Sequence, residues 1–196
     1  MAKPAYEPDF IRANDAYEDW LRKALDGRIV EKDLDAKHVA MAGDAFSFLR
    51  ATYWRWAETI LELCPKLRKA PQVLAVGDIH LENFGMWRDD DGRLVWGVND
   101  FDEAAVMPYS FDLVRLATSA AMAAASLPKY SNHDTCTFIL EGYRKGLENP
   151  RPFVLDEEHT WLRGLFVVKD EARAHFWSKV DNAEKEAAKK KPPQRP

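Results

Sequence analysis

The sequence predicts a mainly helical α+β domain with a small central β-hairpin. Helical spacing of apolar residues dominates the chain before residue 64 and again after Pro108. Between these parts, short apolar runs at residues 84–87 and 94–98 flank a polar link, RDDDGR, whose Asp-Gly pair is a strong hairpin signal. A chain of 196 residues is long enough for one ordinary domain with a real core.

Three helices are predicted before the hairpin, over residues 10–24, 32–41 and 46–63. Each segment carries apolar residues that recur at helical spacing, most weakly in the second. An Asp-Gly pair follows the first helix, and Pro65 stops the third because proline interrupts the helical hydrogen bonds. We therefore expect the third segment to form one continuous helix.

A short strand and several further helices complete the predicted domain. The apolar run at residues 72–76 predicts a buried strand that leads directly into a loop. After the hairpin, helices are predicted over residues 111–126 and 131–147, and one or two more follow. The basic residues 189–196 include no apolar side chain that would anchor them. We therefore predict a single domain over residues 1–188 and a disordered basic tail over residues 189–196.

Composition indicates a folded protein without a nucleic-acid partner. Hydrophobic residues make up 46% of the chain, which includes seven tryptophans, and this exceeds what disordered segments contain. The formal net charge is −4, and no basic stripe interleaved with aromatic residues is visible. Nucleic-acid binding is therefore not expected.

Cysteine usage and the apolar runs predict a cytoplasmic protein that does not enter a membrane. Cys64 and Cys136 lie far apart and lack metal-ligand spacing, so we expect both thiols to be reduced and buried. The first seven residues lack the apolar stretch of a signal peptide. The most apolar run, residues 116–127, is too short to span a bilayer.

Two polar motifs follow apolar runs and carry the chemistry of the chain. The first, GDIHLENF at residues 77–84, places Asp78 five residues before Asn83. The second, NDFD at residues 99–102, places Asp100 at the end of the second hairpin strand. An acid, an amide and a second acid at strand ends match the base and the two metal ligands of a phosphotransferase.

The two motifs predict a role for each polar residue. Asp78 is the predicted base, while Asn83 and Asp100 are the predicted magnesium ligands, since oxygen ligands suit this hard cation. Asp102 is a predicted helper in cofactor binding, because strand alternation would point it the same way as Asp100. His80 is expected to hold the loop backbone. For the acid and amide of one loop alone, turn capping would be the simpler interpretation.

These residues resemble the catalytic core of the protein-kinase-like superfamily, most closely its small-molecule branch of aminoglycoside phosphotransferases and choline kinases. That branch carries Gly-Asp-x-His-x-x-Asn, followed by Asp-Phe or Asp-Trp after a hairpin. The order of helix, strand, loop and hairpin resembles the lower lobe of that fold, and Asp112 resembles the acid that braces the catalytic loop. The resemblance implies Mg²⁺ and ATP as cofactors and a small-molecule hydroxyl substrate.

A closer resemblance is to the uncharacterised bacterial family called domain of unknown function 2252. Arg50, in the first of its motifs, is a candidate phosphate contact, with pairing to an acidic side chain as the equal alternative. Ala51 stands where that family usually has glycine. The resemblance rests on four motifs: FSFLR at residues 46–50, GDIHLENFG at residues 77–85, NDFDE at residues 99–103 and DLVRL at residues 112–116.

The chain also departs from the kinase-like pattern. Val76 replaces the histidine that usually precedes Gly-Asp, and no glycine-rich strand-turn-strand of a nucleotide lobe is evident before Asp78. We therefore expect a phosphotransferase that moves phosphate from a magnesium-bound nucleotide to a hydroxyl acceptor, as an incomplete or short form. Its activity depends on the nucleotide-covering lobe being supplied, and its oligomeric state is left open.

Two other classes of function stay open from the sequence. A kinase-like site without phosphate-covering donors is also what a non-catalytic, pseudokinase-like binding module would have. A two-metal phosphoesterase is less favoured: residues 78–80 match its first Asp-x-His motif, and residues 132–134 imitate its later Asn-His element. However, Ser131 stands in place of the glycine of that element, and the closing Gly-His-x-His motif is absent.

Overall fold

A computed structural model describes residues 10–125, 131–157 and 159–189, except for the side chains of residues 187 and 188. Within these residues the fold is mixed α+β and mostly helical, which confirms the predicted class. The helices are α1 Phe10–Ala24, α2 Glu31–Gly43, α3 Ala45–Ala51, α4 Tyr53–Leu63, α5 Ser110–Ala124, α6 Asn132–Glu148, α7 Thr160–Phe166 and α8 Asp170–Lys189. The strands are β1 Gln72–Ala75, β2 Phe84–Arg88, β3 Leu94–Val98, β4 Ala105–Pro108 and β5 Phe153–Val154.

The described chain divides into two compact units. The first contains residues up to Gly85 and residues Val98–Arg151, and the second contains residues Met86–Gly97 and those from Pro152 onward. Helices α1 to α6 and the two paired strands β1 and β4 belong to the first unit, and α7 and α8 belong to the second. Of the predicted tail, Lys189 ends α8, and residues 190–196 lie outside the described part.

A two-stranded antiparallel sheet organises the first unit. Strand β1 pairs with β4, and the register ends with Ala75 opposite Ala105. The expectation that β1 is buried is wrong: Leu74 is 76% exposed, and among the four residues of β1 only Ala75 is buried. Because the strands are antiparallel, the loop that leaves β1 and the loop that enters β4 emerge at the same end of the sheet.

The predicted helix over residues 46–63 is in fact two helices, α3 and α4, which are separated at Thr52. Its backbone has φ −122° and ψ 30°, outside the helical region. The Thr52 hydroxyl donates to the Phe48 carbonyl at 2.7 Å, and the Arg115 guanidinium donates to the Leu49 carbonyl at 2.7 Å. At the break, side chains therefore donate hydrogen bonds to backbone carbonyls of the helix. The periodicity of apolar residues gives no information about such bonds.

The core of the first unit is built by side chains of several elements, and one of its contacts joins α4 to α5. Phe111 packs edge-on against the ring of Trp56, with 5.5 Å between ring centroids. Burying an aromatic or branched aliphatic side chain of this kind stabilises the fold by about 1.5–3 kcal/mol. The buried apolar side chains of this unit are Leu34, Leu49, Ile60, Ala75, Ile79, Phe111 and Ala120.

The predicted hairpin is confirmed as strands β2 and β3. Gly92 adopts φ 78° in its turn, and the Asp89 carboxylate accepts the backbone N–H groups of Asp91 and Arg93 at 3.1 and 2.9 Å. Strand β5, which the sequence did not predict, pairs with β3 and completes a three-stranded sheet in the order β2-β3-β5. The Asp-Gly pair therefore predicted the β2–β3 turn correctly. Strand β5 was not predicted because two residues are too few to show a periodic pattern.

Three further expectations concern helix ends, thiols and the membrane. The helix predicted over residues 111–126 is α5, and Ser126 lies outside the described residues. Both cysteine side chains are exposed, so their expected burial is wrong. Among the described residues, no helix combines the length and apolar character that a membrane crossing requires.

Candidate functional site

The two motif loops meet at the end of the β1–β4 sheet and form an acidic pocket. The Asn99 N–H donates to the Asn83 carbonyl at 2.9 Å, and Asn83 Nδ2 donates to Asp100 Oδ2 at 3.5 Å. These contacts hold the loop after β1 against the loop before β4. The resulting pocket has a volume of about 170 Å³ and is lined by Val76, Asp78, Asp100, Asp102 and Glu103.

Asp112 on α5 fixes the start of the first loop. Its carboxylate accepts the Val76 N–H at 2.8 Å with one oxygen and the Gly77 N–H at 3.0 Å with the other. Gly77 adopts φ 89°, and a Cβ atom there would overlap the Glu103 carbonyl oxygen. Asp112 therefore anchors the backbone of the loop, and a residue without a side chain at position 77 lets the two loops approach each other.

Asp78 is held by a buried arginine. Arg115 donates to Asp78 Oδ1 from Nε at 2.8 Å and from a terminal nitrogen at 2.5 Å. The arginine side chain is 1% exposed and lies over the rings of Tyr53 and Trp56, at 5.2 and 5.4 Å. Both bonds end on the same carboxylate oxygen, which leaves Oδ2 without a partner among the described residues and available to the pocket.

His80 and Asn83 build the inner part of the loop. The His80 N–H donates to Asn83 Oδ1 at 2.6 Å, and the Asn83 N–H donates to the His80 carbonyl at 3.0 Å. The His80 ring meets Phe46 edge-on, with 5.6 Å between ring centroids. Burial of this ring lowers the pKa of His80, so the neutral form is favoured near neutral pH.

Asp100 and Asp102 share a short turn after β3. That strand ends at Val98, so strand alternation does not orient the two acids. Instead, the Asp102 N–H donates to Asp100 Oδ1 at 3.4 Å, in the manner of an Asx-turn. Both residues are exposed and line the acidic pocket.

Arg50 lies outside the acidic pocket. Its guanidinium donates to the Glu82 carboxylate at 2.8 Å, and the two side chains are 51% and 60% exposed. The pairing of Arg50 with an acidic side chain is therefore observed, and its contact with phosphate stays a prediction. The structure brings together Asp78, Asn83, Asp100 and Asp102, with His80 and Asp112 supporting the loop.

The donor atoms of the site suit magnesium rather than a softer metal. Asp100 offers a carboxylate. The Asn83 amide lies beside it with Nδ2 towards Asp100, while its Oδ1 accepts the His80 N–H and keeps a second lone pair. Among the described residues, no group of three or more His, Cys, Asp or Glu side chains lies close enough to hold a metal. Magnesium usually takes only one or two protein carboxylates and completes its shell with water and phosphate. The residues present therefore fit magnesium only together with a phosphate ligand.

Sequence reasoning gave no role to Arg115 and Glu103, although both lie in motifs that it identified, and it missed Ser119. The Ser119 hydroxyl accepts the Leu81 N–H at 3.0 Å and is fully buried. A signal for Arg115 was available, because it lies three residues after Asp112 and shares its helical face. Glu103 directly follows the predicted site residue Asp102 and lines the same pocket, and the pairing of β4 with β1 brings its carbonyl against Gly77.

Fold and site thus define a mostly helical α+β protein with an acidic pocket between two loops. Residues 28–192 match the protein family described as "Uncharacterized protein conserved in bacteria (DUF2252)". That match covers most of the chain, and the protein therefore belongs to this family. No curated protein and no solved structure matches the chain.

Proposed function

We propose that this site transfers a phosphoryl group from a magnesium-bound nucleotide to a hydroxyl acceptor. The observation that carries the proposal is the convergence of Asp78 and Asp100 from two separate loops onto one pocket, with the Asn83 amide bonded to Asp100 behind it. A base and two oxygen ligands are among the protein groups that kinase-type phosphoryl transfer to a hydroxyl uses. The resemblance to the protein-kinase-like lower lobe supports the same assignment.

Asp78 acts as the base in the proposed reaction. Its Oδ2 accepts the proton of the acceptor hydroxyl while the hydroxyl oxygen forms a bond to the γ-phosphorus. The bond between the γ-phosphorus and its bridging oxygen breaks, and the nucleoside diphosphate leaves with that electron pair. Arg115 positions Asp78 by holding its other carboxylate oxygen.

Charge explains why the nucleotide requires a divalent cation at this pocket. Four of its five lining residues are acidic, so the anionic phosphates of a free nucleotide are repelled. Asp100 and Asn83 are the residues that hold magnesium in this proposal. A bound cation would supply positive charge that offsets the negative charge of the phosphates.

A pseudokinase-like binding module is the second candidate function. It is favoured by one observation: within the described part of the chain, no lysine or arginine lines the acidic pocket. A two-metal phosphoesterase is disfavoured, because the described residues provide no cluster of three metal-ligating side chains. Residues 132–134, which imitate a phosphoesterase motif, form the first turn of α6.

Turnover of ATP with water as the acceptor tests the role of Asp78. The full chain should release phosphate from magnesium ATP, and Asp78→Asn should lower that rate by about 10²–10⁴-fold, the usual contribution of a general base. Asp90→Asn, which alters an exposed acid of the hairpin, is the matched control and should keep the wild-type rate. Urea unfolding of both variants establishes that they are folded.

Each alternative gives a different result in the same assay. Equal turnover by wild type and Asp78→Asn would remove Asp78 from the mechanism. Binding of magnesium ATP without phosphate release would favour the pseudokinase-like module. Manganese-dependent cleavage of a phosphate ester in the absence of nucleotide would favour the phosphoesterase.

A further inference from the structure

The sheet formed by β1 and β4 exposes an apolar pair on one face. Leu74 and Val106 lie opposite each other in the register, so their side chains project from the same face of the sheet. They are 76% and 70% exposed. When an antiparallel sheet has one face in solvent, that face usually carries polar side chains. The exposed pair is therefore a surface to which a further apolar group can bind.

The outer edge of β1 also lacks hydrogen-bond partners. The Tyr109 N–H donates to the Pro71 carbonyl at 3.1 Å, so these two residues form a hydrogen-bonded pair just before the strands. Because such pairs occur at every second residue of an antiparallel ladder, Val73 belongs to the next one. The backbone groups of Gln72 and Leu74 therefore point away from β4, and no described residue forms a hydrogen bond with them.

The edge of β1 is better suited to pairing than the edge of β4. By the same alternation, Val106 and Pro108 are the residues of β4 whose backbone groups point outward. Proline has no N–H, so the β4 edge presents one donor, whereas Gln72 and Leu74 each present a donor and an acceptor. Addition of an extended segment to an exposed edge is a common mode of recognition. A third strand would therefore add beside β1.

The two ends of β1 carry opposite charge. Just before the strand lies a short 3₁₀ helix, Pro65–Lys69, which contains the exposed basic residues Lys66, Arg68 and Lys69. Just after the strand lies the acidic pocket, which Asp78 lines together with three other acids. An antiparallel partner that carries the same two ends would therefore place each basic end beside an acidic one.

We propose that two copies of this chain pair through the outer edges of their β1 strands. Gln72 of one copy pairs with Leu74 of the other, in both directions, which uses all the outward backbone groups of the two strands. The product is a four-stranded sheet in the order β4-β1-β1-β4, with a two-fold axis at Val73. The axis places the Leu74 side chains of both copies on one face, diagonal to each other. Because this interface is small, the dimer is weak.

Sedimentation equilibrium of the full chain, without nucleotide or metal, tests for the dimer. The average mass should rise from the monomer value toward twice that value as the protein concentration increases. Raising the salt concentration from about 50 mM to about 500 mM should weaken the association, because opposite charges meet at both ends of the paired strands. The assay contains no nucleotide, so its result does not depend on the proposed phosphoryl transfer.

Paired variants test which edge is used. Leu74→Pro removes an N–H that the fold does not use and should abolish the dimer, whereas Val106→Pro makes the same change at the other edge and should keep it. Lys69→Glu should weaken association about two- to tenfold. Lys32→Glu, at an exposed lysine of α2, should not change it. Urea unfolding establishes that each variant is folded.

Amide hydrogen exchange locates the pairing directly. In the dimer the Leu74 N–H forms a hydrogen bond, so its exchange should slow about tenfold at a protein concentration where roughly nine-tenths of the chain is dimeric. The Val106 N–H points to the opposite edge and should exchange at the same rate at all protein concentrations.

Several results would overturn the proposal. A full chain that stays monomeric at low salt, or a dimer that Leu74→Pro and Lys69→Glu leave undiminished, would each do so. Slow exchange of the Leu74 N–H in the monomer would also overturn it, because another part of the same chain would then pair with the β1 edge.

Discussion

At the scale of single residues, the acidic pocket depends on a few backbone contacts that tolerate little change. Gly77 adopts φ 89° and lies against the Glu103 carbonyl, so the two motif loops are in van der Waals contact there. Asp112 then holds the adjoining N–H groups of Val76 and Gly77. The position of Asp78, the next residue along the chain, follows from these contacts.

Gly77→Ala should therefore destabilise the protein. A β-carbon would overlap the Glu103 carbonyl and lie 2.8 Å from the Tyr53 hydroxyl, in a backbone conformation that L-residues rarely adopt. We expect a loss of at least about 1–3 kcal/mol in the free energy of unfolding, measured with urea. Gly142→Ala in α6, where a Cβ meets open space, should instead stabilise by about 0.5–1 kcal/mol. Equal effects at the two sites would contradict this account of the loop.

His80 should make the protein sensitive to acid. Burial lowers its pKa below the ordinary value of about 6.5, so the folded state resists protonation more than the unfolded state does. The contribution to stability is complete above about pH 6.5 and is lost as the pH falls through the lower folded-state pKa.

A ring without a titratable proton tests this pH dependence. His80→Phe keeps an aromatic ring beside Phe46, so urea unfolding between pH 7.5 and 5 should show a smaller acid-side loss than in the wild type. His133→Phe, which replaces an exposed ring on α6, should keep the wild-type loss. Parallel pH profiles for wild type and His80→Phe would argue against the role of His80.

At the scale of elements, α5 is the support of the first motif loop. Asp112, Arg115 and Ser119 are three and then four residues apart, so they lie on one helical face. They contact the loop in chain order, at Gly77, Asp78 and Leu81. Arg115 also donates to Leu49 at the break between α3 and α4. A single helical face thus positions both the loop and the helix break.

Removing Arg115 should be far more damaging than removing an exposed arginine. Arg115→Met leaves Asp78 without its cationic partner and removes the arginine bond to the Leu49 carbonyl, and we expect a loss of about 3–5 kcal/mol in the free energy of unfolding. Arg144→Met removes an exposed pair with Glu148 on α6 and should cost about 0.5 kcal/mol or less. Urea unfolding measures both, and a similar small cost for each would mean that the buried pair is not structural.

The helix elements also mark how far local sequence reasoning reaches. Local sequence signals located α1, α2 and the hairpin, since apolar spacing marks α1 and an Asp-Gly pair marks the hairpin turn. Apolar periodicity did not predict the helix break at Thr52, since that break involves hydrogen bonds from the side chains of Thr52 and Arg115 to backbone carbonyls. It also failed for β4, whose four residues are ordered by pairing with β1.

At the scale of the whole molecule, the candidate site depends on contacts between distant parts of the sequence. The motifs identified Asp78, Asn83 and Asp100 because residue type and spacing are local properties. Their convergence follows from the antiparallel pairing of β1 with β4, which brings residues 77 and 103 together. Sequence reasoning had no signal for that pairing, so it treated β1 as buried and could not bring Glu103 against Gly77.

Charge balance gives the most direct consequence for function. The chain carries a formal net charge of −4, and four acidic residues line the acidic pocket, whose volume is about 170 Å³. A nucleotide polyphosphate is itself strongly anionic, so its binding there must depend on a divalent cation. In the proposed function, Asp100, whose carboxylate accepts Asn83 Nδ2 at 3.5 Å, would hold that cation.

Calorimetric titration of the full chain with ATP, with and without magnesium, tests this central claim. We predict saturable binding only when magnesium is present. Asp100→Asn should weaken that binding about tenfold or more, as expected for loss of a charged ligand, whereas Asp90→Asn should leave it unchanged. ATP binding that is equally strong without magnesium, or that is unaffected by Asp100→Asn, would contradict the assignment of this pocket as a magnesium-nucleotide site.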